Sequence, residues 1–369
     1  METQKLLWCA LGLAAGVLHA QVPANIEMEL RKIGQIVDPP CTAKLYRPLM
    51  PMNDINSKAT PLYPGITIAR DVSFGPNPKD IVDIFTAEKG PQSRPVLMYI
   101  AGGAGNKIEQ QDREANAFYD NIMRWATKNG MVGVNMQRHP GKEWDDGGRD
   151  VSRMVQWVEA NIAKYKGNAD RMFLWAQSAG NGPLGVYIGR PELWGPKGVG
   201  VKGAIFMSGQ FNILPVQPAA PAGGRGGADI LAGAGKTCGL AAGAAFSDAG
   251  AIEGPGRADA PPTGGRGGAG FGRGPQVDAA EQLRRSSLPA LKTTSVKIML
   301  ATAELDPGIN GTNSAFNQAL HDELCKLGPD HCPTMLFEKG ESHMSEVFSI
   351  DTPDKTVSGP ILKWMKSIK

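Results

Sequence analysis

The chain carries little charge of either sign to spare: 39 basic against 36 acidic residues leave a net +3 over 369 residues. That balance excludes a binder that holds nucleic acid by a strongly cationic surface. Long apolar runs are also missing, apart from one near the N-terminus, so a polytopic membrane protein is excluded. Histidine and cysteine are scarce, with five of each. No pair of close Cys/His clusters has the spacing of a zinc site, His331 beside Cys332 included. Hydrophobic residues still make up 41% of the chain, which suffices for a sizeable core.

The apolar run Leu6–Leu18 follows Lys5 and ends at Leu18-His19-Ala20. It is too short to span a bilayer and has the layout of a secretory signal over 1–20, cut after Ala20. The expected location is therefore secreted or periplasmic, with no stable membrane insertion after cleavage. Cys41, Cys238, Cys325 and Cys332 remain in the mature chain. In an oxidising compartment they are expected to form disulfides. Cys325 and Cys332 flank a turn-prone segment, and a bridge there contributes roughly 2–3 kcal/mol by the chain-entropy argument. A Cys41–Cys238 bridge is a second candidate.

Residues 21–75 are rich in proline and mixed in pattern, and read as an N-terminal arm and first hairpin. Short apolar runs then recur at Pro95–Ile100, Met131–Asn135, Met172–Trp175, Ala204–Met207, Val296–Ala301 and Met335–Phe337. Runs of that length bounded by Gly and Pro suit strands buried on both faces. Between them, Val151, Met154, Val155, Val158 and Ile162 mark one helical face. Gln111–Lys128 and Asn313–Lys326 read as further helices. Strands alternating with helices imply an α/β fold with a mostly parallel sheet.

Residues 215–280 break this pattern, with 18 glycines and two Gly-Gly-Arg-Gly-Gly runs. Such a composition buries too little surface to offset ordering entropy, and it predicts a flexible insertion in one domain spanning 21–369. The segment holds four arginines against five acids, and only Phe246 and Phe271 as aromatics, too few for an RNA-binding track.

Four motifs carry chemistry. The run Met172-Phe-Leu-Trp-Ala-Gln-Ser178-Ala-Gly180 is a strand followed by a small-x-Ser-x-Gly turn. A nucleophile elbow needs small residues two positions either side of the serine, because its backbone is strained there. The run Ala101-Gly102-Gly103-Ala104-Gly105 ends another strand, and its N–H groups, with that of Ala179, are candidates for an oxyanion hole. No Gly-Lys-Ser/Thr follows, so it is not a phosphate loop. Ala301-Thr-Ala-Glu304-Leu-Asp306-Pro307 brings two acids to a strand exit. Glu338-Lys-Gly-Glu-Ser-His343 places a histidine after the last strand. The order Ser178, Asp306, His343 is the Ser…Asp/Glu…His order of the α/β-hydrolases.

On these motifs the sequence resembles the α/β-hydrolase carboxylesterases, near the lipase/esterase group with an HGGG-type loop. The resemblance covers roughly Asp83–Met365 apart from the insertion. Ala101 stands where that group has histidine, and Met131–Pro140 lies where it has a strand leading to a Tyr-Arg turn. The resemblance implies an α/β-hydrolase fold with a central, mostly parallel eight-stranded sheet. It implies Ser178 as nucleophile, His343 as base, and Asp306 as orienting acid with Glu304 as the alternative. Gly102, Gly103 and Ala179 would supply the oxyanion N–H groups. No metal or organic cofactor is implied. The expected partner is a small-molecule or polymer-borne ester, not a nucleic acid. A serine peptidase or amidase and an inactive binding protein on the same fold are the competing readings. Acyl specificity and oligomeric state are not legible.

Overall fold

The computed structural model describes residues 21–50, 63–103, 117–138, 141, 143–209, 233–240, 278–308 and 312–369. The leader at 1–20, Ala104, Gly105, His139 and most of the glycine-rich segment lie outside them.

Eight strands form one sheet: β1 (Ile66–Ser73), β2 (Ile81–Ala87), β3 (Arg94–Ile100), β4 (Val132–Met136), β5 (Gly167–Gln177), β6 (Gly203–Met207), β7 (Lys297–Leu305) and β8 (Thr334–Ser342). Their order is β1-β2-β4-β3-β5-β6-β7-β8. The β1–β2 and β2–β4 pairs are antiparallel, and all pairs from β4 to β8 are parallel. The helices are α1 (Ala24–Ile33), α2 (Pro39–Tyr46), α3 (Asp120–Lys128), α4 (Asp146–Asn161), α5 (Asn181–Ile188), α6 (Ala279–Arg285), α7 (Leu288–Leu291), α8 (Thr312–Cys325), α9 (Ser345–Phe348) and α10 (Ser358–Ser367). None is long and apolar enough to cross a membrane.

Period-two alternation divides the core into two layers. Leu97 and Tyr99 of β3 face one cluster with α1, α2, α3, α9 and α10. Val96, Met98 and Ile100 face the other, with α4, α5, α7 and α8. Both faces are covered, which is why β3, β4 and β6 are almost wholly apolar and buried. β8 departs from that expectation. It is one of the two edge strands, and Met335 and Phe337 are exposed. Apolar content alone does not separate an edge from a centre.

The N-terminal reading also needs correcting. Residues 24–46 form two helices, not an arm and hairpin, and the hairpin is β1–β2. Pro39 opens α2, where its missing N–H costs nothing, and the Asp38 side chain accepts from Cys41 N at 3.0 Å. Prolines that looked like breakers therefore start a helix. The structure bridges Cys325 to Cys332 and Cys41 to Cys238, the latter 197 residues apart. The long bridge, with Asp38 accepting from Gly235 N at 3.1 Å, anchors residues 233–240 to α2. Closing a loop of that length removes unfolded-state entropy equivalent to about 5 kcal/mol.

Candidate active site

Ser178, His343 and Asp306 meet at the carboxyl end of the parallel strands, where open α/β sheets gather their sites. Ser178 follows β5 directly, Asp306 follows β7 and His343 follows β8. His343 Nε2 lies 2.9 Å from Ser178 Oγ, and its Nδ1 lies 2.6 Å from Asp306 Oδ2. All three are buried.

Local sterics explain the serine turn. Ser178 has φ +52, a left-handed conformation that a non-glycine residue holds only under constraint. A Cβ on Gly180 would sit 2.4 Å from the Ile100 carbonyl, so only glycine fits there. Ala176, two residues before the serine, is accommodated without exposure.

Asp306 is fixed from its other side. Its Oδ1 accepts from Gly308 N at 2.6 Å and from Asn313 Nδ2 at 3.0 Å. Both bonds orient Oδ2 toward His343. Glu304, the alternative acid, goes elsewhere: it accepts from Gly340 N at 2.7 Å and pairs with Arg31 of α1 at 3.2 Å. It does not reach His343 in this arrangement.

Gly102 stands beside the serine, and Gly103 follows it with φ +56 and open space where a Cβ would lie. A Cβ on Gly102 would lie 2.8 Å from Ser178 Cβ, so only glycine lets the backbone approach Ser178 this closely. Arg138, just after β4, donates to Ala101 O at 3.0 Å and to Gly103 O at 2.5 Å. Burial lowers the Arg138 pKa, although the neighbouring Tyr99 opposes the shift. The guanidinium ties the exit of β4 to the carbonyls of the loop after β3. Ala179 follows Ser178 in the same turn, so its N–H belongs to the same corner.

Burial on its own would lower the His343 pKa. The charge and hydrogen bond of Asp306, with Glu346, outweigh it, and the imidazole rises above its ordinary 6.5. A buried pair of this kind favours the imidazolium once a proton arrives.

Sequence reasoning missed Asn313, Arg138 and Gln177, whose amide donates to His343 O at 3.0 Å. Gln177 adjoins the serine in sequence, but a lone amide carries no pattern. His321, by contrast, lies away from this site. Its Nε2 is 3.4 Å from Cys325 Sγ and 3.5 Å from Cys332 Sγ. These three side chains are close enough together to hold a metal ion, but the bridge occupies both sulfurs with each other.

The BD-FAE family model matches residues 82–189, which include β3, β4, β5 and the serine turn. A stretch of 121 residues is 24% identical to a probable isoprenylcysteine alpha-carbonyl methylesterase of Arabidopsis thaliana; it covers 31% of this chain and 23% of that protein. Among solved structures, a thermostable esterase from Pseudomonas putida is similar with a TM-score of 0.56 at 13% identity, over 94% of this chain and 98% of that one. Carboxyl esterase 2 from the fungus Tuber melanosporum has a TM-score of 0.52 at 14% identity, covering 86% and 93%. The chain has the α/β-hydrolase fold and resembles the esterases built on it.

Proposed function

We propose that this α/β-hydrolase-fold chain is an exported serine carboxylic-ester hydrolase. One observation carries the reading: the continuous hydrogen-bonded line from Ser178 Oγ through His343 to Asp306, at 2.9 and 2.6 Å. The esterase relatives support the ester class, and the two disulfides support an oxidising compartment.

The mechanism follows from the roles. Neutral His343 takes the proton of Ser178 as Oγ attacks the ester carbonyl. Asp306 accepts from Nδ1–H, so the free lone pair is on Nε2, facing the serine. The oxyanion of the tetrahedral intermediate is received by backbone N–H groups from Gly102, Gly103 and Ala179, each worth roughly 3–4 kcal/mol when critical. His343 returns its proton to the leaving alkoxide, and an acyl-enzyme remains. Water, deprotonated by the same histidine, then releases the acid.

Rates on p-nitrophenyl esters against p-nitroanilides of the same acyl group test the class. An ester hydrolase turns over the esters and leaves the anilides nearly untouched, whereas comparable rates would favour an amidase. The pH dependence follows from His343. Only the neutral imidazole can act as base, and its pKa is raised. Activity should therefore fall as pH drops through a midpoint above 6.5 in kcat/KM. A midpoint clearly below that value would contradict the coupling to Asp306.

A further inference from the structure

Beneath His343 lies a carboxyl group that the mechanism above does not use. Glu346, on α9, is fully buried. Its Oε1 accepts from Gln177 Nε2 at 2.9 Å, and the same amide nitrogen donates to the His343 carbonyl at 3.0 Å. Its Oε2 accepts from Ser208 Oγ at 2.6 Å. Ser208, the residue after β6, has φ +41, again left-handed for a residue with a side chain. The Ser208 N–H donates to Ala301 O at 3.0 Å, and its Oγ accepts from Ala303 N at 3.3 Å. One carboxyl thus joins the ends of β5, β6 and β7 to the turn that carries the histidine.

We propose that Glu346 is a positioning residue for hydrolysis: a buried carboxylate that fixes the His343 loop through Gln177 and favours the imidazolium formed in the transition state. The proposal rests on the reading of Ser178, His343 and Asp306 as the catalytic unit.

The charge state follows from the neighbours. Glu338 of β8 is also fully buried, and neither of its oxygens receives a hydrogen bond from a donor group. It lies within hydrogen-bond reach of Glu346. Two carboxylates in contact inside a protein do not both ionise. Glu346 already accepts two donated hydrogen bonds and faces His343, so the negative charge belongs there. In this proposal Glu338, which receives no donor of its own, carries the proton of the pair. Burial raises both groups, and their mutual repulsion adds to it. Among the described residues, the other titratable groups facing Glu346 include Asp306, Glu341 of β8 and Tyr99 of β3.

Glu346→Gln and Glu338→Gln separate the two roles. A glutamine at 346 must turn its NH2 toward the amide of Gln177, the hydroxyl of Ser208 or the proton of Glu338, and one bond is lost. It should lower kcat about tenfold or more with KM within about twofold, because orientation and not binding is affected. It should also move the acid limb of kcat/KM to lower pH, since a negative neighbour of the imidazolium is gone. Glutamine at 338 imitates the protonated acid and should keep kcat within about threefold, with the limb unmoved. A merely structural Glu346 would lower the melting temperature and leave the limb in place.

Wild-type kcat and an unshifted limb in Glu346→Gln would overturn the proposal. So would a larger loss and limb shift in Glu338→Gln, which would put the charge on Glu338. If Glu346→Gln does not fold, Ser208→Ala removes one donor only. It should lower kcat at least about threefold, and unchanged kcat there would equally overturn the proposal. Full activity in Ser178→Ala would instead defeat the underlying reading, so the two failures are distinguishable.

Discussion

Ser178→Ala should leave a folded protein whose kcat on a small soluble ester is lower by roughly four to six powers of ten. The size of the effect follows from what the hydroxyl does. Its Oγ meets His343 Nε2 at 2.9 Å, and alanine keeps the Cβ that packs at the turn. The strain at φ +52 is a backbone matter and stays as it was. Melting should therefore shift by little, while covalent catalysis disappears. Any residue of activity would come from the oxyanion N–H groups and from substrate binding. A variant retaining more than about a tenth of wild-type activity would assign the nucleophile to another serine.

Asp306→Asn should cost nearly as much, about 10⁴ in kcat, through a different cause. The amide has the shape of the carboxyl and can keep one oxygen in the pocket formed by Gly308 N and Asn313 Nδ2. That choice turns its NH2 toward His343 Nδ1. The imidazole must then carry its proton on Nε2, the wrong nitrogen for taking one from Ser178. Glu304→Gln removes a half-exposed pair with Arg31, and such pairs contribute at most about 1 kcal/mol. Its kcat should stay within about threefold of wild type. The reverse ranking of these two variants would move the orienting role to Glu304.

The parts of the fold that were legible in the sequence are those where burial on both faces leaves a continuous apolar run. β3, β4 and β6 are of this kind, and their observed limits lie within a residue or two of the runs. β1 was harder, because it is half-exposed and carries Arg70 and Asp71 in its middle. α2 was hidden by two prolines that serve its first turn. In the site, motif order singles out Ser178, Asp306 and His343, whose side chains lie within hydrogen-bond distance. The supporting residues were not legible. Arg138, Gln177 and Glu346 each make hydrogen bonds to elements distant in sequence, Asn313 bonds Asp306 from the next helix, and no local spacing encodes such bonds. The Cys41–Cys238 bridge shows the same limit, since any of the four cysteines could have paired otherwise.

The central claim is that Ser178, activated by His343, is the nucleophile. Reaction of the full-length protein with a fluorophosphonate, followed by digestion and peptide mass mapping, tests it most directly. The account predicts one phosphonyl adduct, on Ser178, formed with loss of fluoride and accompanied by complete loss of ester hydrolysis. It also predicts that His343→Ala abolishes the adduct. An adduct on a different serine, or an active protein that takes up no label, would contradict it.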